Sequence, residues 1–363
     1  MSTLAQRRTA LTAQFAEQKV QAALISGLPN VRYLSGFTGS HAMLLVLEDS
    51  ATLFTDPRYT LQASAESDCR VVIARNSFLP GVLKLVARLR IRKLGIEPER
   101  MHVSTMLYIQ KAARTLECVP LPPLVERLRM VKSEDEIDAI RRSALINSRA
   151  YDRALLKIRP AMTENELASE IDYGQRRFGA EGSAFASIVA AGERSALPHA
   201  TPGSQPLGTN RLLLMDVGAL LGGYCSDMTR VVHLGLPGTK GSPGTKAKKL
   251  YRAVLEAQLA AIDAVRPGKT ASSVDRAARQ VLKQHGLAEV FVHSTGHGLG
   301  LEIHEPPRIG RTDKTRLQEG MAITIEPGAY LEGFGGVRIE DTVLVTRNGC
   351  EILTPTSKEF VVV

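Results

Sequence analysis

Two stretches of this chain place carboxylates where a folded protein tolerates them least, inside apolar strand pairs. In RLLLMDVGALLGGYCSDMTRVVHL, residues 211–234, two apolar runs flank Gly222-Gly223, a strong signal for a hairpin closed by a two-residue turn. That turn sets Asp216 opposite Thr229, and puts Asp227 on the same face as a diagonal neighbour of Asp216, roughly 7 Å away. In AITIEPGAYLEGFGGVRIEDTVLV, residues 322–345, a loop rich in glycine (Gly333, Gly335, Gly336) sets Glu326 opposite Glu340. A carboxylate among apolar strands carries a desolvation penalty unless something positive compensates it. Like charges directly opposite each other also destabilise a sheet, so the arrangement implies a cation. One such hairpin is as well explained by two solvent-facing aspartates on an edge; two in one chain favour the cation.

Between the hairpins lies FVHSTGHGLGLEIHEPP, residues 291–307, with His293, His297 and His304. The first two have i, i+4 spacing, but Ser294 stands where HExxH needs Glu and Gly296 interrupts the helix, so the helical zinc-protease motif fails. Gly296, Gly298 and Gly300 follow GxGxG rather than the GxGxxG of a dinucleotide site. The glycines are read as letting the backbone approach a ligand while presenting histidines. Four carboxylates and one neutral imidazole balance two divalent cations, and a bridging water ionised to hydroxide then supplies a nucleophile near neutral pH. Such oxygen-rich ligation suits Mn, Co, Fe or Zn alike.

The rest of the chain supplies a frame for this site. The first third alternates strands with helices: AALISGLPNVRYL, AMLLVLEDSATLFTD and VVIA read as strands, and the segments 79–92 and 104–115 as helices. Prolines 120, 122 and 123 then break regular structure and mark a domain boundary. Beyond them Ser133–Glu136 is a capping box opening a long helix, and Thr163–Glu166 opens another that Gly179 closes. Two further helices are expected over about 246–265 and 272–285. The order of helices, hairpin, helices, hairpin hints at a duplicated half. The fold class is α/β (α+β).

Composition removes competing functions. The net charge of +9 and pI of about 9.5 raise nucleic acid as a partner. The basic clusters, RLRIRK at 88–93 and GTKGSPGTKAKK at 238–249, lack interleaved aromatics, and there is no Trp. They read as solvated surface. No run of about 18 apolar residues could span a membrane. The first 20 residues lack the apolar stretch of a signal peptide and read as an amphipathic helix, which places the protein in the cytoplasm. Cys69, Cys118, Cys225 and Cys350 form no CxxC pair and read as reduced thiols.

The motifs DVGALLGGYCSDMTR, HSTGHGLGLEIHE, EPGAY and GVRIED, in that order, resemble those of the pita-bread metallopeptidases: prolidase, aminopeptidase P, methionine aminopeptidase and the metal-free creatinase. The resemblance implies a creatinase-like catalytic domain over 124–363 whose ligands are Asp216, Asp227, His297, Glu326 and Glu340. Asp227 and Glu340 would bridge two divalent ions per subunit, manganese ahead of cobalt, zinc or iron, and Glu326 would also act as general base. His199, His293 and His304 match histidines lining the substrate pocket; His304 would stabilise the tetrahedral intermediate or shuttle a proton. Arg338 matches an arginine that orders the site and helps anchor substrate, and His199 joins Glu326 and His304 among the expected catalytic residues. The segment YLSGFTGSHAMLLVLEDSATLFTDPRY resembles the smaller α/β creatinase-type N-terminal domain, here 1–123, which helps form a homodimer and limits substrate length. The activity expected is that of an Xaa-Pro dipeptidase acting on short proline-containing peptides. The rival is an Xaa-Pro aminopeptidase acting on longer ones, and a different class is a non-catalytic interaction protein on the same fold.

Overall fold

The computed structural model describes residues 3–235 and 243–363. The chain divides at Arg129/Met130 into two compact units. Residues 236–242, which include part of the basic stretch at 238–249, lie outside the described residues.

The first unit is a six-stranded mixed sheet. Ala22–Ile25 lies inside it, antiparallel to Ala42–Leu47 and parallel to Lys93–Ile96. Ala51–Thr55 and Arg70–Ile73 extend one side, Glu117–Pro120 the other. The Ala42–Leu47/Ala51–Thr55 hairpin matches the sequence reading. The continuation of the first strand through GLPNVRYL does not: Leu28–Ser35 is a helix. Pro29 sits in its first turn, where a missing N–H costs nothing, and Gly36 ends it at φ 79°. Val31 and Leu34 point into the core at helical spacing. The strands Lys93–Ile96 and Glu117–Pro120 escaped notice because the first carries a glycine, which weakens a strand signal, and the second ends in a proline that only an edge strand tolerates.

The second unit repeats helix pair then antiparallel strands. Glu134–Leu155 starts at the Ser133 capping box and Glu164–Arg177 at that of Thr163. Thr245–Asp263 and Ala271–Gln284 form the other pair. Strand Arg211–Val217 lies between them and alternates faces. Leu212 and Leu214 pack with Leu250, Val254 and Val274, whereas Leu213, Met215 and Val217 pack with Tyr151, Leu167 and Ile171. Among the described residues no helix is long and apolar enough to cross a membrane.

Both hairpins have the expected register, and both are interrupted. Asp216 pairs with Thr229 and Leu221 with Tyr224, but Gly218 and Ser226-Asp227 leave the ladder and the tip joins a different sheet. Likewise Ile325 pairs with Asp341 and Gly328 with Arg338, leaving Glu326-Pro327 and Ile339-Glu340 between two separate pairings. Pro327 has no N–H to offer a ladder. Three of the four acids therefore lie where the sheets come apart. Gly296–Gly298 forms a short strand beside Ala322–Ile325. Its glycines answer to packing rather than to a ligand: a Cβ on Gly296 would stand 1.9 Å from the Thr324 carbonyl oxygen, and one on Gly298 would stand 2.3 Å from that of Pro306.

Candidate metal centre

Arg338 organises one side of the site. Its Nη2 donates to Asp216 Oδ2 at 2.5 Å, Nη1 to the Tyr330 hydroxyl at 2.7 Å, and Nε to Thr229 Oγ1 at 3.1 Å. The Thr229 hydroxyl in turn donates to Glu340 Oε2 at 2.7 Å. The guanidinium is buried, which opposes its charge, but Tyr330, Asp216, Glu326 and Glu340 hold its pKa well above the ordinary value. Behind it Arg230 donates to the carbonyls of Thr229 and Glu340 and to Asp341 Oδ1, fixing the second hairpin against the first.

His297 enters from the opposite side. Its Nδ1 faces the Gly298 carbonyl at 2.9 Å, and since a carbonyl only accepts, Nδ1 carries the proton. Burial above all pushes its pKa down to about 4, so the ring is neutral at pH 7. Nε2 then offers a bare lone pair to Glu326 Oε1 at 3.4 Å and Asp227 Oδ2 at 3.6 Å. Three acceptors facing one another repel unless a cation lies between them. Thr324 Oγ1 holds Glu326 Oε1 at 3.3 Å, and Thr342 Oγ1 holds the Asp227 carbonyl at 3.0 Å.

Four carboxylates thus meet one guanidinium. Burial, then Glu340, Asp216 and Glu326, drives the Asp227 carboxyl well above its usual range. Burial, then Glu326 and Asp216, does the same to Glu340, and burial lifts Glu326 to about 7. Ligand atoms of Asp227, His297 and Glu340 all lie within 4.8 Å of one another. Asp216 Oδ1, Asp227 Oδ1 and Glu340 Oε1 are buried with no hydrogen-bond partner. Buried acceptors left unsatisfied are costly. A divalent cation satisfies them, so the donor set fits the metals that the residue pattern called for.

All nine residues singled out in the sequence line one cavity of about 690 Å³. His199 and His304 are on its exposed side, and the His304 ring lies 4.4 Å from that of His297. His293 Nε2 accepts from the Tyr330 hydroxyl at 2.8 Å, its Nδ1 being committed to the Ser294 carbonyl. Phe185, Ile188, Pro198, Ile303 and Pro306 give the cavity an apolar wall. Sequence reasoning missed Tyr330, which joins His293 to Arg338 although it stands in the EPGAY motif. It also gave no task to Thr229, although register alone sets that hydroxyl against Asp216. The apolar wall is gathered from residues far apart in the chain, two of them, Ile188 and Pro306, in short strands, and left no signal in the sequence.

Residues 138–347 match metallopeptidase family M24, and residues 7–131 match the creatinase/prolidase N-terminal domain. The chain is 37% identical to an Xaa-Pro dipeptidase of Pyrococcus horikoshii over 95% of both proteins. Among solved structures, an Xaa-Pro dipeptidase from Bacillus anthracis superposes with a TM-score of 0.95 at 36% identity, covering 99% of this chain and all of that one. An X-Pro aminopeptidase from Thermotoga maritima superposes with a TM-score of 0.90 at 38% identity, covering 98% of this chain and 99% of the other.

Proposed function

The chain belongs to metallopeptidase family M24, of the pita-bread fold, and from that premise we propose that it is an Xaa-Pro dipeptidase working with two divalent ions held by Asp216, Asp227, His297, Glu326 and Glu340. The observation that carries the reading is the set of orphaned buried oxygens on Asp216, Asp227 and Glu340, set around a neutral His297. When bound, such ions polarise a carbonyl and generate a nucleophile from water near neutral pH.

The protein's own groups do the rest. Glu326 receives the proton of the attacking water on a carboxyl oxygen. An Xaa-Pro bond is a tertiary amide with no N–H, so recognition falls to shape. The wall of Phe185, Ile188, Pro198, Ile303 and Pro306 accepts the ring, and His199 and His293 supply polar contacts beside it. His304 donates its N–H to the developing oxyanion, and the proton taken up by Glu326 goes to the leaving nitrogen, directly or relayed through His304. Arg338 keeps Asp216 and Tyr330 in place without contacting the scissile bond. Manganese as the preferred ion, a homodimeric assembly and a cytoplasmic location belong to the same proposal. Metal analysis and sedimentation of the purified protein test the first two, and cell fractionation the third.

The likeness to the Thermotoga maritima X-Pro aminopeptidase favours a second reading, cleavage of longer peptides. Hydrolysis of Ala-Pro and Ala-Pro-Ala is compared after chelation and reloading with manganese. Cleavage of the dipeptide supports the first reading. Cleavage of the tripeptide alone supports the second, and no metal-dependent cleavage of either, with no divalent ion bound, points to a non-catalytic protein on this fold.

A further inference from the structure

A buried ion pair lies beside the carboxylate cluster, with Glu305 at the edge of the same cavity. Lys132 Nζ stands 3.1 Å from Glu305 Oε2, with 1% and 3% of the two side chains exposed. Taking both charges out of water costs several kcal/mol per ion, and apolar residues of similar size often stabilise a fold equally well. The pair's value therefore has to be sought in what it holds.

It holds a loop. Glu305 pairs with Gly298 across the base of the segment 299–304. Its Oε1 accepts the Glu302 N–H at 3.1 Å, and the Gly300 N–H donates to the Glu302 carbonyl at 3.0 Å. A Cβ on Gly300 would stand 2.9 Å from both Glu305 carboxyl oxygens, so the carboxylate fills the interior of the loop. The Gly300 carbonyl accepts from the Cys225 N–H at 2.8 Å, two residues before Asp227. At the other end of the ion pair, the Lys132 N–H donates to the Gly320 carbonyl at 2.9 Å and Val131 bridges Met321. Lys132 is thereby tied to the segment leading into Ala322–Ile325. The residues that the loop delivers to the cavity are Ile303 and His304.

We propose that Lys132 and Glu305 are positioning residues that set His304 at the substrate void, acting on turnover through His304 rather than through overall stability. The inference rests on the substrate role given above to His304. A Glu302 N–H deprived of its Glu305 acceptor lets Ile303 and His304 drift, and a misplacement near 1 Å can cost about a hundredfold in rate.

The test is a double-mutant cycle with manganese-loaded enzyme and Ala-Pro. It crosses the apolar replacement K132M/E305L with His304→Ala, alongside urea unfolding and amide exchange of residues 299–304. Expected are an unfolding midpoint near wild type and faster exchange confined to 299–304. In the native background kcat falls about tenfold to a hundredfold, and in the His304→Ala background the same replacement costs less than about twofold. A full loss in both backgrounds, or unchanged exchange at 299–304, overturns the proposal. If His304→Ala is as active as wild type, the substrate role of His304 fails instead, and the exchange data still report whether the pair holds the loop. Should this pair not fold, K132M/E305A carries the same cycle, because it removes both charges and the acceptor of the Glu302 N–H without leaving Lys132 buried and unpaired.

Discussion

Removing the Glu326 carboxyl should make the metal-free protein more stable. In the absence of cations Glu326 is lifted from 4.5 to about 7, chiefly by burial. The unfolded chain ionises this group near 4.5, whereas the native protein retains the proton to about 7. Its contribution to stability is therefore complete below about pH 4.5, is lost as pH rises through that window, and is flat above it. At about 1.4 kcal/mol per pH unit the span corresponds to roughly 3 kcal/mol. Asp227 and Glu340 compete for the same protons, so a gain between about 1 and 3 kcal/mol is expected for Glu326→Gln at pH 7.5. Glutamine keeps the shape and still accepts from Thr324 Oγ1. Urea unfolding in chelator at pH 5 and pH 7.5 measures the difference. It should be small at pH 5, favour the variant at pH 7.5, and reverse once manganese is added, because the native acid gains more from the ion. A metal-free variant that is less stable than wild type at pH 7.5, or a gap that ignores pH, would refute the reasoning.

Tyr330→Phe removes the hydroxyl joining His293 to Arg338. Steady-state kinetics should show kcat/KM down about tenfold to a hundredfold, while urea unfolding shows a loss of only about 1 kcal/mol. Thr229→Val breaks the relay from Arg338 to Glu340; calorimetric titration should show divalent-ion affinity weakened about tenfold, as for other partners of metal ligands. Gly296→Ala drives a methyl group to 1.9 Å from a backbone oxygen. Because no side chain can move aside, thermal unfolding should show a loss above about 3 kcal/mol, or no folded protein at all.

What the chain revealed before folding, and what it withheld, follows from the range of the forces involved. Turn chemistry is local, and a two-residue glycine turn or a glycine-rich loop sets cross-strand register many residues away. Asp216 against Thr229, and Glu326 against Glu340 by extension of two pairings, were legible for that reason. Helix starts at Ser133 and Thr163 were legible because a capping box is complete within four residues. Leu28–Ser35 was not, because an apolar stretch of this length reads as strand or helix alike until Pro29 is credited with starting the helix. The approach of His297 to Asp227 and Glu326 was legible only through the resemblance of motifs, not through any pattern along the chain. That contact needs two hairpins and a third strand to meet, and no periodicity records it.

The interruptions in the two hairpins explain why this fold can carry such a site at all. A continuous ladder would turn Glu326 and Glu340 face to face at the spacing of a non-bonded pair, where like charges repel without room for an ion. Breaking the pairing at Glu326-Pro327 and Ile339-Glu340, and at Ser226-Asp227, releases these side chains while the flanking pairs keep their backbones in register. The bonds the ladder gives up are taken over individually: the Glu326 N–H goes to the Thr295 carbonyl, the Glu340 N–H to that of Thr229, and the carbonyls of Asp227 and Glu340 go to Thr342 and Arg230. Each substitute bond ties one hairpin to the other or to the histidine segment. Satisfying the broken backbone and assembling the carboxylates are therefore the same structural event, and the acids converge only in a chain whose sheets fail at matched positions.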